Sequence, residues 1–260
     1  MADGADGRTA TAAPSGVRSL ARAFDLLEHL ADAGGALALS ELAEASGLPA
    51  PTIYRLMRTL VDHGYVRQEP SRRYALGPRL IRLGDTASRM LGTWARPWLA
   101  TLVDEIGETA NLALLDGDRI VYVAQVPSRH SMRMFTEVGR RFPPHCTGVG
   151  KALLAQLPPE TVAGIVARTG MPAHTPRTIT DPETLQAQLA RIRGQGFAVD
   201  DGEQELGVRC VAVAVPDSAT PTGLSVSGPE GRLTDDVVTR VVPIMRDVAA
   251  RLAHDVNGPA

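Results

Sequence analysis

Between Leu20 and Gly77 the apolar residues keep helical spacing through three successive stretches and then give way to a short alternating pair, all within about sixty residues. Leu20, Ala23, Phe24, Leu27, Leu30 and Ala31 form one stripe, which predicts a helix over 19–33 closed by Gly34-Gly35. Ser40 is the expected N-cap of a short helix over 41–46, with Leu42 and Ala45 inward. Gly47 breaks the chain, and Leu48-Pro49 leads into a third helix, 51–63, with Pro51 in its first turn. Its apolar stripe is 53, 56, 57, 60 and 61, and Gly64 ends it. Residues 65–69, a turn at Pro70-Ser71-Arg72-Arg73, and 74–77 then read as a small hairpin. Three helices with a glycine turn between the second and third, followed by a hairpin, make a winged helix-turn-helix.

Charge sorts along the chain in the same way. The whole sequence holds 27 Lys and Arg against 29 Asp and Glu, a formal −2. Residues 50–82 hold seven Arg against Asp62 and Glu69, whereas residues 91–260 hold sixteen basic against nineteen acidic groups. A compact basic block on a mildly acidic chain implies a polyanion at one end only. In a helix-turn-helix the second helix enters the major groove, N-terminal residues toward the base edges. Pro51, Thr52, Tyr54, Arg55 and Arg58 are therefore the expected DNA-binding face, with double-stranded DNA as partner. Arg72 and Arg73 at the wing tip are expected against phosphates.

Pro78 opens a linker helix, residues 78–92, whose apolar face fits either a dimer contact or packing on its own domain. Another helix is expected over about 94–106. From Thr109 the period becomes two: 109–115 and 119–126 form a hairpin around Asp116-Gly117-Asp118, and 131–137 reads as a third strand. Helices are expected over 151–157 and 160–169, then from Asp181-Pro182-Glu183 to Gly194, and over 234–254, with strands at 197–200, 207–215 and 222–227. The class is α+β: a flexible tail over 1–16, the winged helix-turn-helix over 17–77, the linker, and a domain over 93–256 with a mixed sheet of five or six strands. Such a domain commonly encloses a small-molecule pocket. The tail lacks the basic start and apolar stretch of a signal peptide, and no run of about 18 apolar residues occurs, so a cytoplasmic protein without a membrane partner is expected.

His145-Cys146-Thr147-Gly148-Val149-Gly150-Lys151 ends where a helix begins, and its glycines would let the backbone approach an anionic ligand. Lys151 opposes the helix dipole there; solvent exposure is the expected outcome, a compensating carboxylate the alternative. No phosphate-loop or dinucleotide spacing is complete, because His145 and Ala152 stand where the first requires Gly and Ser or Thr, and Leu153 where the second requires Gly. No cofactor follows. The two cysteines, Cys146 and Cys210, have no paired Cys or His spacing for a metal, and Cys210 in mid-strand reads as an inert thiol, so no catalytic residue is assigned. Ser225 and Ser227 share one strand face, where they meet water if it is outer and require polar partners or an oxygen-rich ligand if it is inner.

From Val17 to about Leu252 the chain resembles the IclR family of bacterial transcriptional regulators. The resemblance is carried by Val17-Arg18-Ser19-Leu20, Tyr74-Ala75-Leu76-Gly77, the 145–154 segment, Gly207-Val208-Arg209-Cys210 and Leu224-Ser225-Val226-Ser227-Gly228-Pro229. It implies a winged helix-turn-helix joined by a linker helix to a GAF-like effector domain, acting as a dimer or dimer of dimers on operator DNA, and it adds Arg18 and Ser19 to the DNA-binding set. Within the family the chain is similar to the allantoin-utilisation repressors, through Ser131-Met132-Arg133-Met134, Thr175-Pro176-Arg177-Thr178 and the 196–200 stretch. That likeness implies a small carboxylate effector of the glyoxylate, allantoate or allantoin type, held at Gly148, Val149, Asp200, Cys210, Ser225 and Ser227. Val149 is larger than its counterpart in that subgroup and narrows the pocket. Regulation of aromatic- or sugar-acid catabolism, by repression or activation, is the alternative within the family; an enzyme acting on a small acid is the alternative outside it.

Overall fold

The computed structural model describes residues 17–134 and 138–257, so the tail over 1–16 and the end of the strand expected over 131–137 lie outside it. Contacts divide the chain between Thr86 and Ala87 into two compact units.

The first unit holds α1 (Arg18–Asp32), α2 (Leu39–Ser46), α3 (Ala50–Asp62) and the hairpin β1 (Val66–Gln68) with β2 (Tyr74–Leu76). Leu26, Leu30, Leu42, Ile53 and Met57 are buried together with Val66 and Tyr74, so the stripes on the three helices close one small core. Ser40 is not the cap of α2. The helix starts at Leu39, and Glu41 reaches back to the Ala38 N–H at 2.6 Å, so a carboxylate in the first turn satisfies the donor. The linker helix α4 (Arg79–Leu91) follows, and the division between units falls inside it rather than at either end.

The second unit contains a six-stranded sheet in the order β5-β4-β3-β8-β7-β6. Its strands are β3 (Thr109–Asp116), β4 (Arg119–Val126), β5 (Arg141–Phe142), β6 (Ala198–Asp201), β7 (Val208–Ala214) and β8 (Thr222–Pro229). The class is α+β as expected, but all five pairings are antiparallel, so the sheet is not mixed. Residues 131–134 form no strand; the edge is Arg141–Phe142 instead, paired to Ile120 and Val121. Alternation sends Ala110, Leu112, Val211, Val213, Leu224 and Val226 to one face, where they bury against α5 (Arg96–Ile106) and α9 (Asp235–Asn257). The other face meets α6 (Gly148–Leu154), α7 (Pro159–Thr169) and α8 (Pro182–Gln195) through Ala113, Ile120, Tyr122, Ala198 and Ala212. A Cβ on Gly92, at the end of α4, would lie 2.2 Å from the Val123 carbonyl oxygen, so only glycine allows the chain to pass β4 this closely.

Candidate functional site

On α3, Ile53 and Met57 are buried while Pro51, Tyr54, Arg55 and Arg58 are exposed and Thr52 is half-buried. Tyr54 and Arg58 are spaced i,i+4 and Arg55 and Arg58 i,i+3, so these residues share one surface. Among the described residues no carboxylate pairs with Arg55 or Arg58, which leaves both guanidiniums available to a polyanion. Arg18 and Ser19 are exposed in the first turn of α1. The two wing arginines differ. Arg72 is exposed in the turn with φ at 62°. Arg73 instead folds back: Nε and one amine donate to the Ala36 carbonyl at 3.0 and 2.8 Å, and that amine meets Glu41 at 2.7 Å.

In the second unit the sheet register lines up the polar residues. Asp200, Cys210, Ser227 and Thr109 are successive partners across β6, β7, β8 and β3, a row facing α6. Asp200, Cys210 and Ser227 border a cavity of about 240 Å³, completed by Tyr122, Met134, Arg140, Phe142, Thr147, Gln204, Glu205 and Val208. Ser225 lies one row away and faces the same side, where the Asn111 amide donates to it at 3.4 Å and Gln125 donates to Asn111 at 2.9 Å. It is buried with a partner of its own and does not line the cavity.

Gly148 and Val149 are not on the cavity wall either. A Cβ on Gly148 would meet the Cys210 sulfur at 3.1 Å, and one on Gly150 would meet the Pro144 carbonyl oxygen at 2.2 Å. The glycines therefore let the backbone approach the protein's own β7 and the preceding turn. Thr147 caps α6 by accepting the Gly150 N–H at 3.1 Å, and Val149 packs over Gly223.

Lys151 is fully buried, which corrects the expectation of solvent exposure. Its Nζ donates to the Val199 carbonyl at 2.8 Å and pairs with Glu203. The carboxylate that the dipole argument asked for comes from 52 residues further along the chain, so nothing near Lys151 in sequence announces it. Burial raises Glu203 against the lowering effect of Lys151.

Asp200 is 4% exposed, and burial pushes its carboxyl up to about 7 despite the backbone N–H of Glu203 at 2.7 Å. The same burial pushes the Cys210 and Cys146 thiols up to about 12, so neither is a thiolate near neutral pH. Cys146 donates to the Gln204 side chain at 2.9 Å. Among the described residues no group of three His, Cys, Asp or Glu is placed to hold a metal, and no helix is long and apolar enough to cross a membrane. Tyr122, Phe142, Arg140 and Gln204 were not foreseen on the wall; they come from β4, the β5 edge and the loop after β6, which only the sheet register brings together.

Comparison with known proteins gives both units the same assignment. Residues 19–70 match the IclR helix-turn-helix domain, and residues 86–254 match the bacterial transcriptional regulator IclR C-terminal domain. The chain is 40% identical over 238 residues to the transcriptional repressor IclR of Escherichia coli, covering 88% of this chain and 87% of that one. It is 33% identical over 251 residues to the HTH-type transcriptional repressor AllR of Salmonella typhi, covering 95% and 92%. The likeness to IclR thus exceeds the likeness to AllR. The structure of an IclR transcriptional regulator from Alicyclobacillus acidocaldarius aligns with a TM-score of 0.79 at 32% identity, over 92% of this chain and 98% of that one. With an exposed arginine helix in one unit, a polar cavity in the other and both family models matched, the chain belongs to the IclR family of bacterial transcriptional regulators.

Proposed function

We propose that the protein is a transcriptional repressor whose hold on operator DNA is controlled by a small carboxylate effector bound in the second unit. The observation that carries this reading is the 240 Å³ cavity, which mixes one cation, Arg140, with hydroxyl, amide and carboxyl groups from Ser227, Thr147, Gln204 and Asp200. That volume lies below the roughly 300–1,000 Å³ of sites for drug-sized ligands, a fit for a small acid. The effector is of the glyoxylate, allantoate or allantoin type, and the regulated genes serve purine and allantoin catabolism. DNA contact falls to Arg18, Ser19, Pro51, Thr52, Tyr54, Arg55 and Arg58, with Arg72 at the wing.

The operator is palindromic and the protein binds it as a homodimer or a dimer of dimers. Support for self-association comes from exposed apolar side chains on the first unit: Leu20 and Phe24 are 54% and 57% exposed and border an apolar groove with Leu76, Leu80 and Leu83.

A second reading, an aromatic-acid effector, draws on the Tyr122 and Phe142 rings of the cavity wall, which meet edge to face at 5.5 Å and 83°. Titrating glyoxylate, allantoin, allantoate and benzoate against the protein bound to DNA from upstream of its own gene separates the two. Release by glyoxylate or allantoate supports the first reading, release by benzoate alone the second, and release by allantoin alone, a neutral ureide, overturns the carboxylate reading. If none acts, the carboxylate reading fails.

A further inference from the structure

Asp200 is held at the cavity by a buried arrangement that ligand contact alone does not require. Its Oδ1 accepts the backbone N–H groups of Glu203 at 2.7 Å and Gln204 at 3.4 Å. The turn that supplies these donors is tied to α6 by Lys151, through the Val199 carbonyl at 2.8 Å and the Glu203 carboxylate. Lys151 is 0% and Glu203 5% exposed, and the second Glu203 oxygen is buried with no hydrogen-bond partner among the described residues.

Among the described residues the groups around Asp200 leave no spare buried cation. Lys151 faces it from α6 and is engaged by Glu203; Cys146, Cys210 and Tyr122 face it from the turn before α6, from β7 and from β4. Glu203 and Glu205 follow it in the chain, and Glu205 lines the cavity. Arg140 borders the cavity from the exposed side, its guanidinium 5.4 Å over the Phe142 ring. A carboxylate entering beside Asp200 therefore places two carboxyl groups in one low-dielectric space, where like charges share a proton rather than both ionise.

We propose that a carboxylate effector is bound together with one proton, taken from water and carried by Asp200, and that Lys151 and Glu203 are the positioning pair that holds Asp200 for this step. The proposal rests on the reading of the effector as a carboxylate seated in this cavity. The step balances as ionised Asp200, effector anion and one proton giving a complex with neutral Asp200. Burial already lifts the Asp200 carboxyl to about 7, so little free energy is needed to protonate it near neutrality.

The test is calorimetric titration of the full chain with glyoxylate, and with allantoate as second probe. It runs from about pH 5.5 to 8.5 in two buffers of different ionisation enthalpy. Below about pH 7 affinity is expected to be flat; above it, affinity falls about tenfold per pH unit while proton uptake approaches one. Binding with constant affinity and no proton uptake overturns the proposal and leaves the carboxylate reading standing. No binding of either probe at any pH overturns both. Asp200→Asn is expected to bind without proton uptake, and retained uptake overturns the assignment to Asp200. Glu203→Gln removes the negative neighbour that raises Asp200 and leaves Lys151 charged, so the midpoint of the affinity profile is expected to move to lower pH. Lys151→Met removes the cation that lowers Asp200, so its midpoint is expected to move to higher pH while the low-pH affinity falls; an unshifted midpoint and wild-type low-pH affinity in the folded variant overturn the positioning role of Lys151. A wild-type midpoint in folded Glu203→Gln overturns the positioning role.

Discussion

A carboxyl group whose protonation lies near neutrality costs its protein stability in a defined pH window, and Asp200 is such a group. Its folded value, about 7, lies above the ordinary 3.8, so between those limits the folded state keeps a proton that the unfolded chain has lost. Stability therefore declines as pH rises from about 4 to 7, and the full cost is present above that window. Asn at this position accepts the same N–H groups without ionising. In Asp200→Asn the loss of stability between about pH 5 and 8 is expected to shrink by as much as a few kcal/mol, read from urea titrations at both pH values; an unaltered difference means that Asp200 titrates normally. On α3 the residue question is base reading. Arg55→Ala or Arg58→Ala is expected to weaken operator binding by ~1–3 kcal/mol with relaxed preference at one base pair, measured on an operator mutant panel. Wild-type affinity in the double variant removes α3 from the groove. The exposure of Arg55 and Arg58 follows from helical spacing alone. The burial of Lys151 does not, because its partner Glu203 reaches it only through the packing of α6 against β6, and local charge logic predicted a solvent-facing side chain.

At the scale of elements, the hairpin β1–β2 separates two arginines that look alike in sequence. Arg73 is built into the first unit through Ala36 and Glu41, whereas Arg72 occupies a left-handed turn position that glycine tolerates better. Arg72→Gly is expected to leave folding unchanged or improve it by up to ~1 kcal/mol. It should also lower affinity on every DNA sequence and reduce the salt slope by about one. Arg73→Ala is expected to cost ~1 kcal/mol of stability. Chemical denaturation and salt-titrated binding read the two effects; a wild-type slope in Arg72→Gly excludes phosphate contact by the wing. Most helices and strands were legible, since their stripes are long and their ends carry Gly or Pro. The start of α2 was missed because Glu41 does the work assigned to Ser40. The antiparallel sheet was missed because alternation along a strand carries no information about which strand lies beside it. Of the six expected effector residues, Asp200, Cys210 and Ser227 border the cavity, while Gly148 packs behind Cys210, Val149 packs over Gly223 and Ser225 accepts from Asn111.

For the whole molecule, the two units provide separate readouts. Both tryptophans, Trp94 and Trp98, belong to the second unit, so intrinsic tryptophan fluorescence reports that unit's unfolding while far-ultraviolet circular dichroism reports both. A bound effector at about 100 times its dissociation constant is expected to stabilise the fluorescence-detected transition by ~2.7 kcal/mol. Operator DNA is expected to act on the part of the dichroism change that fluorescence does not follow. If effector leaves the tryptophan transition where it was, its binding site is not in the second unit.

Gly92 leaves no slack between the end of α4 and the backbone of β4, and the next residue back on that strand, Tyr122, forms part of the cavity wall. A methyl group at that position would have to part helix from strand, so one missing carbon sets how close the end of α4 comes to the wall that Tyr122 helps build.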